Sequence, residues 1–213
     1  MLSYSGLCAA VVVLTFVSFR PLHAGSPPAG RDLAVPLLNP AAEPDPTDQW
    51  AVDFETASLW RISDNTFLDY LVLPQALSLR TPAHLRFRFG EDDQLVLRHR
   101  FTLLAEAIVE GPESHYFGWS CSPSIEYWTS KHTYFHLSVG GGFGAIDSQG
   151  VPGGQGQDFT YNWFITLGVR HYFSRGWAVG GGVMYQHFSN RGATDPNPGL
   201  DALGPMLGIS RSF

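Results

Sequence analysis

The stretch YQHFSNRGATDPNPGLDALGP, residues 185 to 205, sets His187, Ser189 and Asp201 within fifteen residues. A serine hydroxyl is a weak nucleophile until a base takes its proton, an imidazole is such a base, and a carboxylate can hold that imidazole in one tautomer. The three types together could carry acyl transfer. A plainer reading stands beside this one: Ser and His are common at the wet ends of strands, and an Asp next to a Pro- and Gly-rich loop often caps a turn. Which reading holds depends on the face of the strand each side chain occupies.

From residue 50 onward the dominant pattern has period 2, which sends alternate side chains to opposite faces of a strand. In FTYNWFITLGVRHYF, Phe159, Tyr161, Trp163, Ile165, Leu167 and Val169 share one face, with Thr160, Asn162, Thr166, Gly168 and Arg170 opposite and Phe164 as the exception. In LVLRHRFTLLAEAIV, Leu95, Leu97, Phe101, Leu103, Ala105, Ala107 and Val109 face away from Arg98, Arg100, Thr102 and Glu106. Near residue 50, Trp50, Val52, Phe54 and Trp60 oppose Asp53 and Glu55. Wide apolar faces with aromatic ends, backed by small and charged residues, suit a narrow barrel with a polar interior and lipid outside. A soluble barrel or sandwich would turn its apolar faces inward on shorter strands, and stays as the alternative. No segment reads as a transmembrane helix, so only a closed barrel could take this chain across a bilayer.

The pattern predicts an all-β, eight-stranded antiparallel up-and-down barrel of the bacterial outer membrane. Its strands run over 50–61, 68–89 with a break near Pro82, 95–109, 117–129, 132–145, 159–172, 176–190 and 200–213. Short connections (GEDDQ, SK, FSRG) alternate with long ones (EGPESHY, IDSQGVPGGQGQD, RGATDPNPG). With short turns in the periplasm and long loops outside, both chain ends are periplasmic.

The same alternation puts Trp177, Val179, Val183, Tyr185, His187 and Ser189 on one face, and Asp201 at the head of the apolar face of Leu203, Pro205, Leu207, Ile209 and Phe213. All three polar residues then point towards lipid at the outer rim, on adjacent strands about 4.8 Å apart. Exposing ionisable groups there is costly unless they have work to do. A substrate that is itself a lipid of the outer leaflet would supply that work.

Other features set limits. Residues 1–24 read as a secretory signal peptide with an apolar run at 7–19, residues 25–48 with six prolines as a flexible leader, and 49–213 as the barrel domain. Cys8 would leave with the signal peptide, so Cys121 stays without an internal partner. A net charge of −6 with no basic run argues against a nucleic-acid partner. The Gly-rich stretch 140–158 does not join a strand to a helix, so it reads as an outer loop and not as a phosphate loop. His84, His99, His115, His132, His136 and His171 form no metal-ligand spacing, and no metal or cofactor is expected. Arg98, Arg100, Arg170, Glu55 and Glu106 read as an interior charge network.

HFSNRGATDPNPGLD resembles the C-terminal motif of the PagL-type lipid A 3-O-deacylases, which runs His-x-Ser-Asn, then Gly, then Asn-x-Gly-Ile-Glu. The resemblance implies an outer-membrane esterase acting on lipid A of lipopolysaccharide at the outer leaflet, with His187 as general base, Ser189 as nucleophile and Asp201 as the carboxylate. Asn190, Gly192, Asn197 and Gly199 also fall on motif positions. Backbone N–H groups from Asn190 to Gly192, leaving the strand ladder, are candidates for an oxyanion hole, and Arg191 is a rim cation able to meet a lipid A phosphate or to anchor at the interface. The C-terminal Phe213 resembles the assembly signal of such barrels, read by their assembly machinery; a homodimer is left open. The chain departs from the motif at Asp201, where the family has Glu, and a misplacement of about 1 Å can cost on the order of 100-fold in rate. A non-catalytic barrel with a structural or adhesion role is the competing reading.

Overall fold

The computed structural model describes residues 44–64 and 66–213. The expected signal peptide, and the leader up to residue 43, lie outside the described residues. Ten strand segments follow in chain order: β1 (Ala51–Ala57), β2 (Leu59–Arg61), β3 (Leu71–Arg80), β4 (Leu85–Arg88), β5 (Gln94–Glu110), β6 (His115–Trp128), β7 (Thr133–Ile146), β8 (Phe159–Ser174), β9 (Trp177–Ser189) and β10 (Leu200–Ser212). β1 and β2 make one stave broken at Ser58, and β3 and β4 make another broken around Pro82, so the barrel has eight staves. Each pairs antiparallel with its sequence neighbour, and β1 with β2 closes on β10, Ala51 opposite Ser212 and Ala202 opposite Arg61. Apart from β4, which pairs only with β5, the described strands close on one another, which is the condition for crossing a bilayer with strands.

Alternation sorts the wall as the pattern requires. Trp50, Phe54, Trp60, Phe101, Leu103, Phe117, Trp119, Phe135, Phe159, Leu167, Trp177 and Leu207 all point out and are exposed. Such a belt is far larger than a water-soluble surface tolerates and fits lipid as its solvent.

The lumen is layered. Towards the short-turn end, Trp128 stacks on Tyr134 at 4.4 Å between ring centroids and on Tyr172 at 5.9 Å. Next comes a buried network of four arginines and three carboxylates. Glu126 pairs with Arg80 at 2.8 Å and Arg98 at 3.1 Å, Asp53 lies 3.3 Å from Arg80 and 3.6 Å from both Arg100 and Arg170, and Glu55 pairs with Arg100 and Arg170. Under the long loops the lumen turns apolar, with Leu59, Val72, Leu104, Tyr116, Phe164, Met184, Phe188 and Met206 packed together.

Three expectations are corrected here. The interior is polar only in its middle layer, because side chains fill a narrow barrel and the upper part does so with apolar groups; Phe164, the exception in its strand, belongs to that layer. Glu106 stands apart from the arginines and instead accepts a hydrogen bond from Gln186 Nε2 at 2.7 Å. The last residues of the expected leader are ordered: Pro46–Asp48 form a 3-10 turn capped by Asp45, Thr47 is buried, and Arg86 pairs with Asp48 at 2.7 Å. These contacts to β4 and its approach outweigh the Pro-rich composition locally.

Candidate functional site at the long-loop rim

β9 and β10 pair in a register that places His187 directly opposite Asp201 and Tyr185 opposite Leu203. On the other side of β9, His187 lies opposite Trp163 and Ser189 opposite Tyr161 of β8. Direct opposition across an antiparallel pair brings Cβ atoms to about 5 Å. A short carboxylate therefore spans the gap: Asp201 Oδ1 lies 2.7 Å from His187 Nδ1. The shortfall anticipated for Asp in place of Glu does not arise in this register. Tyr185 Oη donates to the same Asp201 oxygen, a partner that strand alternation placed on the right face but did not single out. The backbone carbonyl of Asp201 accepts from Ile62 N at 2.9 Å, which ties the start of β10 to the loop after β2. With Nδ1 engaged by the carboxylate, His187 turns Nε2 away from it. The Trp163 ring, 5.9 Å from that of His187 and 4.8 Å from that of Tyr185, walls the site on the β8 side.

Ser189 ends β9 on the same outward face. Its hydroxyl donates to Asn197 Oδ1 at 3.3 Å and accepts from Arg191 N at 3.0 Å; it makes no hydrogen bond to His187. Asn197 Oδ1 also takes Asn190 N at 2.9 Å. Asn190 itself is buried and points inward, its amide donating to Gln155 O and Thr194 O, both at 2.6 Å, while its Oδ1 accepts from Gly192 N at 2.7 Å and Ala193 N at 3.2 Å.

The expectation of unpaired N–H donors from Asn190 to Gly192 is therefore corrected. All three are used, by Asn197 Oδ1, Ser189 Oγ and Asn190 Oδ1, because two asparagine side chains fold back onto the loop as Asx-type acceptors. The donor left over near Ser189 is the Asn197 amide nitrogen, which makes no hydrogen bond to the described residues. Arg191 adopts φ +60 and lays its guanidinium over the Tyr161 ring at 5.3 Å, exposed at the rim. Gly192 turns the loop at φ +75, and Gly199, at φ +67, leads into β10 beside the His187 ring, where a Cβ would sit 3.5 Å from Cε1. His187, Ser189, Asp201 and Asn197 are thus brought together, while Asn190 acts from beneath. Among the described residues no group of His, Cys, Asp and Glu is arranged to hold a metal ion.

A family model described as lipid A 3-O-deacylase (PagL) matches residues 84–210. Among solved structures the chain is similar to the outer membrane enzyme PagL, with a TM-score of 0.52 and 17% identity over 74% of this chain and 97% of that one. It is also similar to Neisserial surface protein A, at 0.45 and 12% over 77% and 97%, and to Ail, the attachment invasion locus protein of Yersinia pestis, at 0.41 and 13% over 78% and 99%. At these identities the first likeness is one of fold. No curated protein matches the chain.

Proposed function

The chain belongs to the lipid A 3-O-deacylase (PagL) family, and on that premise we propose that it is an outer-membrane serine esterase that removes an ester-linked acyl chain, at the 3-position, from lipid A in the outer leaflet. The observation that carries this reading is the 2.7 Å His187–Asp201 pair on the outer wall, two residues along the strand from Ser189.

The chemistry follows from what each group can do. The Ser189 hydroxyl turns from Asn197 Oδ1 to His187 Nε2, a tightening common when substrate enters a resting site. His187 takes the hydroxyl proton as Oγ bonds to the ester carbonyl carbon, and Asp201 stabilises the resulting imidazolium. The carbonyl oxygen becomes an oxyanion, for which Asn197 Nδ2 is the donor at hand. The bond from carbon to the sugar oxygen then breaks as His187 returns the proton to that oxygen. Water, deprotonated by His187, cleaves the acyl-Ser189 ester and releases the fatty acid. Arg191 is placed to meet an anionic headgroup.

The test is incubation of the purified protein in detergent with lipid A, read by mass spectrometry with assignment of the lost chain. Loss of one 3-O-linked acyl chain is expected. Loss from another position would overturn the regiochemistry, and no loss at all would leave a non-catalytic barrel. Tyr185→Phe removes the phenol's hydrogen bond to the Asp201 carboxylate and leaves His187 in place; a fall of about threefold to tenfold in kcat is expected, from a hydrogen bond worth on the order of 1 kcal/mol.

A further inference from the structure

Outside the site just described, the long-loop end holds a second polar cluster, centred on Glu113. This residue is 3% exposed, lies between β5 and β6, and pairs with no Lys, Arg or His among the described residues. Its carboxyl instead accepts from three neutral donors: Tyr70 Oη at 2.8 Å, Ser148 Oγ at 2.8 Å and Gln155 N at 3.0 Å. A buried carboxyl without a cation is costly and persists only where its acceptor sites are filled. Here the donors come from the loop before β3 and from the loop between β7 and β8. Gly154 makes the close approach feasible, since a Cβ there would lie 2.8 Å from Glu113 Oε1 and 2.3 Å from Ser148 Oγ.

The cluster continues into the site. Gln155, whose N–H is held by Glu113, offers its carbonyl to Asn190 Nδ2 at 2.6 Å. Asn190 N bonds Asn197 Oδ1, which is also the acceptor for Ser189 Oγ. A continuous path of hydrogen bonds thus runs from Tyr70 through Glu113, Gln155, Asn190 and Asn197 to Ser189, and it joins the connections 62–70, 111–114, 147–158 and 190–199 at this end of the barrel.

We propose that Glu113 is a positioning residue for Ser189 and Asn197: by holding Gln155 it fixes Asn190, and through Asn190 the loop that presents the nucleophile and the oxyanion donor. The role is independent of substrate contact, since Glu113 is buried on the lumen side while Ser189 faces out. It rests on the ester-hydrolase reading for its kinetic consequence and on the loop geometry alone for its structural one.

Both are tested on the full-length protein with Glu113→Ala, Glu113→Gln, Asn190→Ala and the Glu113→Ala/Asn190→Ala double variant, each first shown to be a folded barrel by heat-modifiable migration. In Glu113→Ala, amide hydrogen exchange at residues 190–193 is expected to quicken by about tenfold or more, with β9 and β10 unchanged. For acyl release from lipid A, kcat is expected to fall by about tenfold or more with KM within about twofold. Glu113→Gln, which keeps an acceptor for Ser148 and Gln155, should lose less on both readouts. The double variant should be hardly worse than Asn190→Ala, because the two changes break one path. Unchanged exchange at 190–193 overturns the proposal, as does faster exchange with kcat unaltered or strictly additive effects. Exchange needs no substrate, so a wild type that releases no acyl chain defeats the ester-hydrolase reading while the exchange result still decides the coupling.

Discussion

Ser189→Ala and His187→Ala are each expected to lower kcat for acyl release from lipid A by about 10⁴-fold or more, and the double variant to be scarcely slower than either single one, because residues that act as a unit are not additive. Asp201→Asn is expected to cost on the order of 10³- to 10⁴-fold, since an amide facing His187 Nδ1 no longer enforces the tautomer that leaves Nε2 free to accept a proton. Mass-spectrometric time courses of lipid A with each purified variant measure these effects. A Ser189→Ala protein that still releases the acyl chain at the wild-type rate would exclude the nucleophile assigned to it. Asp201→Glu sharpens the point: the 2.7 Å contact is already made by the shorter side chain, so the extra methylene must buckle or displace the ring, and a slower enzyme is expected. A faster one would show that the strand pair sits further apart during turnover.

Glu55→Ala is expected to destabilise the folded barrel by about 3–5 kcal/mol, the cost of removing one partner from a buried ion pair. Glu55 is the carboxylate shared by Arg100 and Arg170, both almost fully buried, and without it the two guanidinium groups face each other with only Asp53 between them. Urea titration of the protein refolded into lipid vesicles, followed by tryptophan fluorescence, would show the change as a lowered midpoint. An unchanged midpoint in Glu55→Ala would mean that the other charges rearrange around the gap.

The wall was legible in the sequence because a barrel strand keeps the face it turns to lipid apolar along its span, as the residues of one face from Phe159 to Val169 do. The inner face carries no such rule. Phe164 reads as an irregularity because an inward side chain answers to the radius of the lumen at its own level, which one strand does not reveal. At the site, alternation correctly turned His187, Ser189 and Asp201 to one side, and the opposition of His187 and Asp201 emerged only with the register. The backbone donors of residues 190–192 were misjudged because leaving a ladder does not leave an N–H unpaired when Asn190 and Asn197 fold back to accept it. Glu113 was passed over entirely: it lies in a four-residue connection with no periodicity, and its partners at Tyr70, Ser148 and Gln155 are distant in sequence.

The placement of His187 and Asp201 on the outside of a closed, filled wall has a kinetic consequence. A substrate that reaches them never leaves the sheet of lipid in which it is embedded, so encounter is a matter of lateral diffusion in two dimensions and the relevant quantity is mole fraction at the surface. Adding inert detergent or phospholipid at constant bulk lipid A should slow turnover by surface dilution, whereas enlarging the volume at a fixed surface composition should leave the turnover of each embedded molecule unchanged.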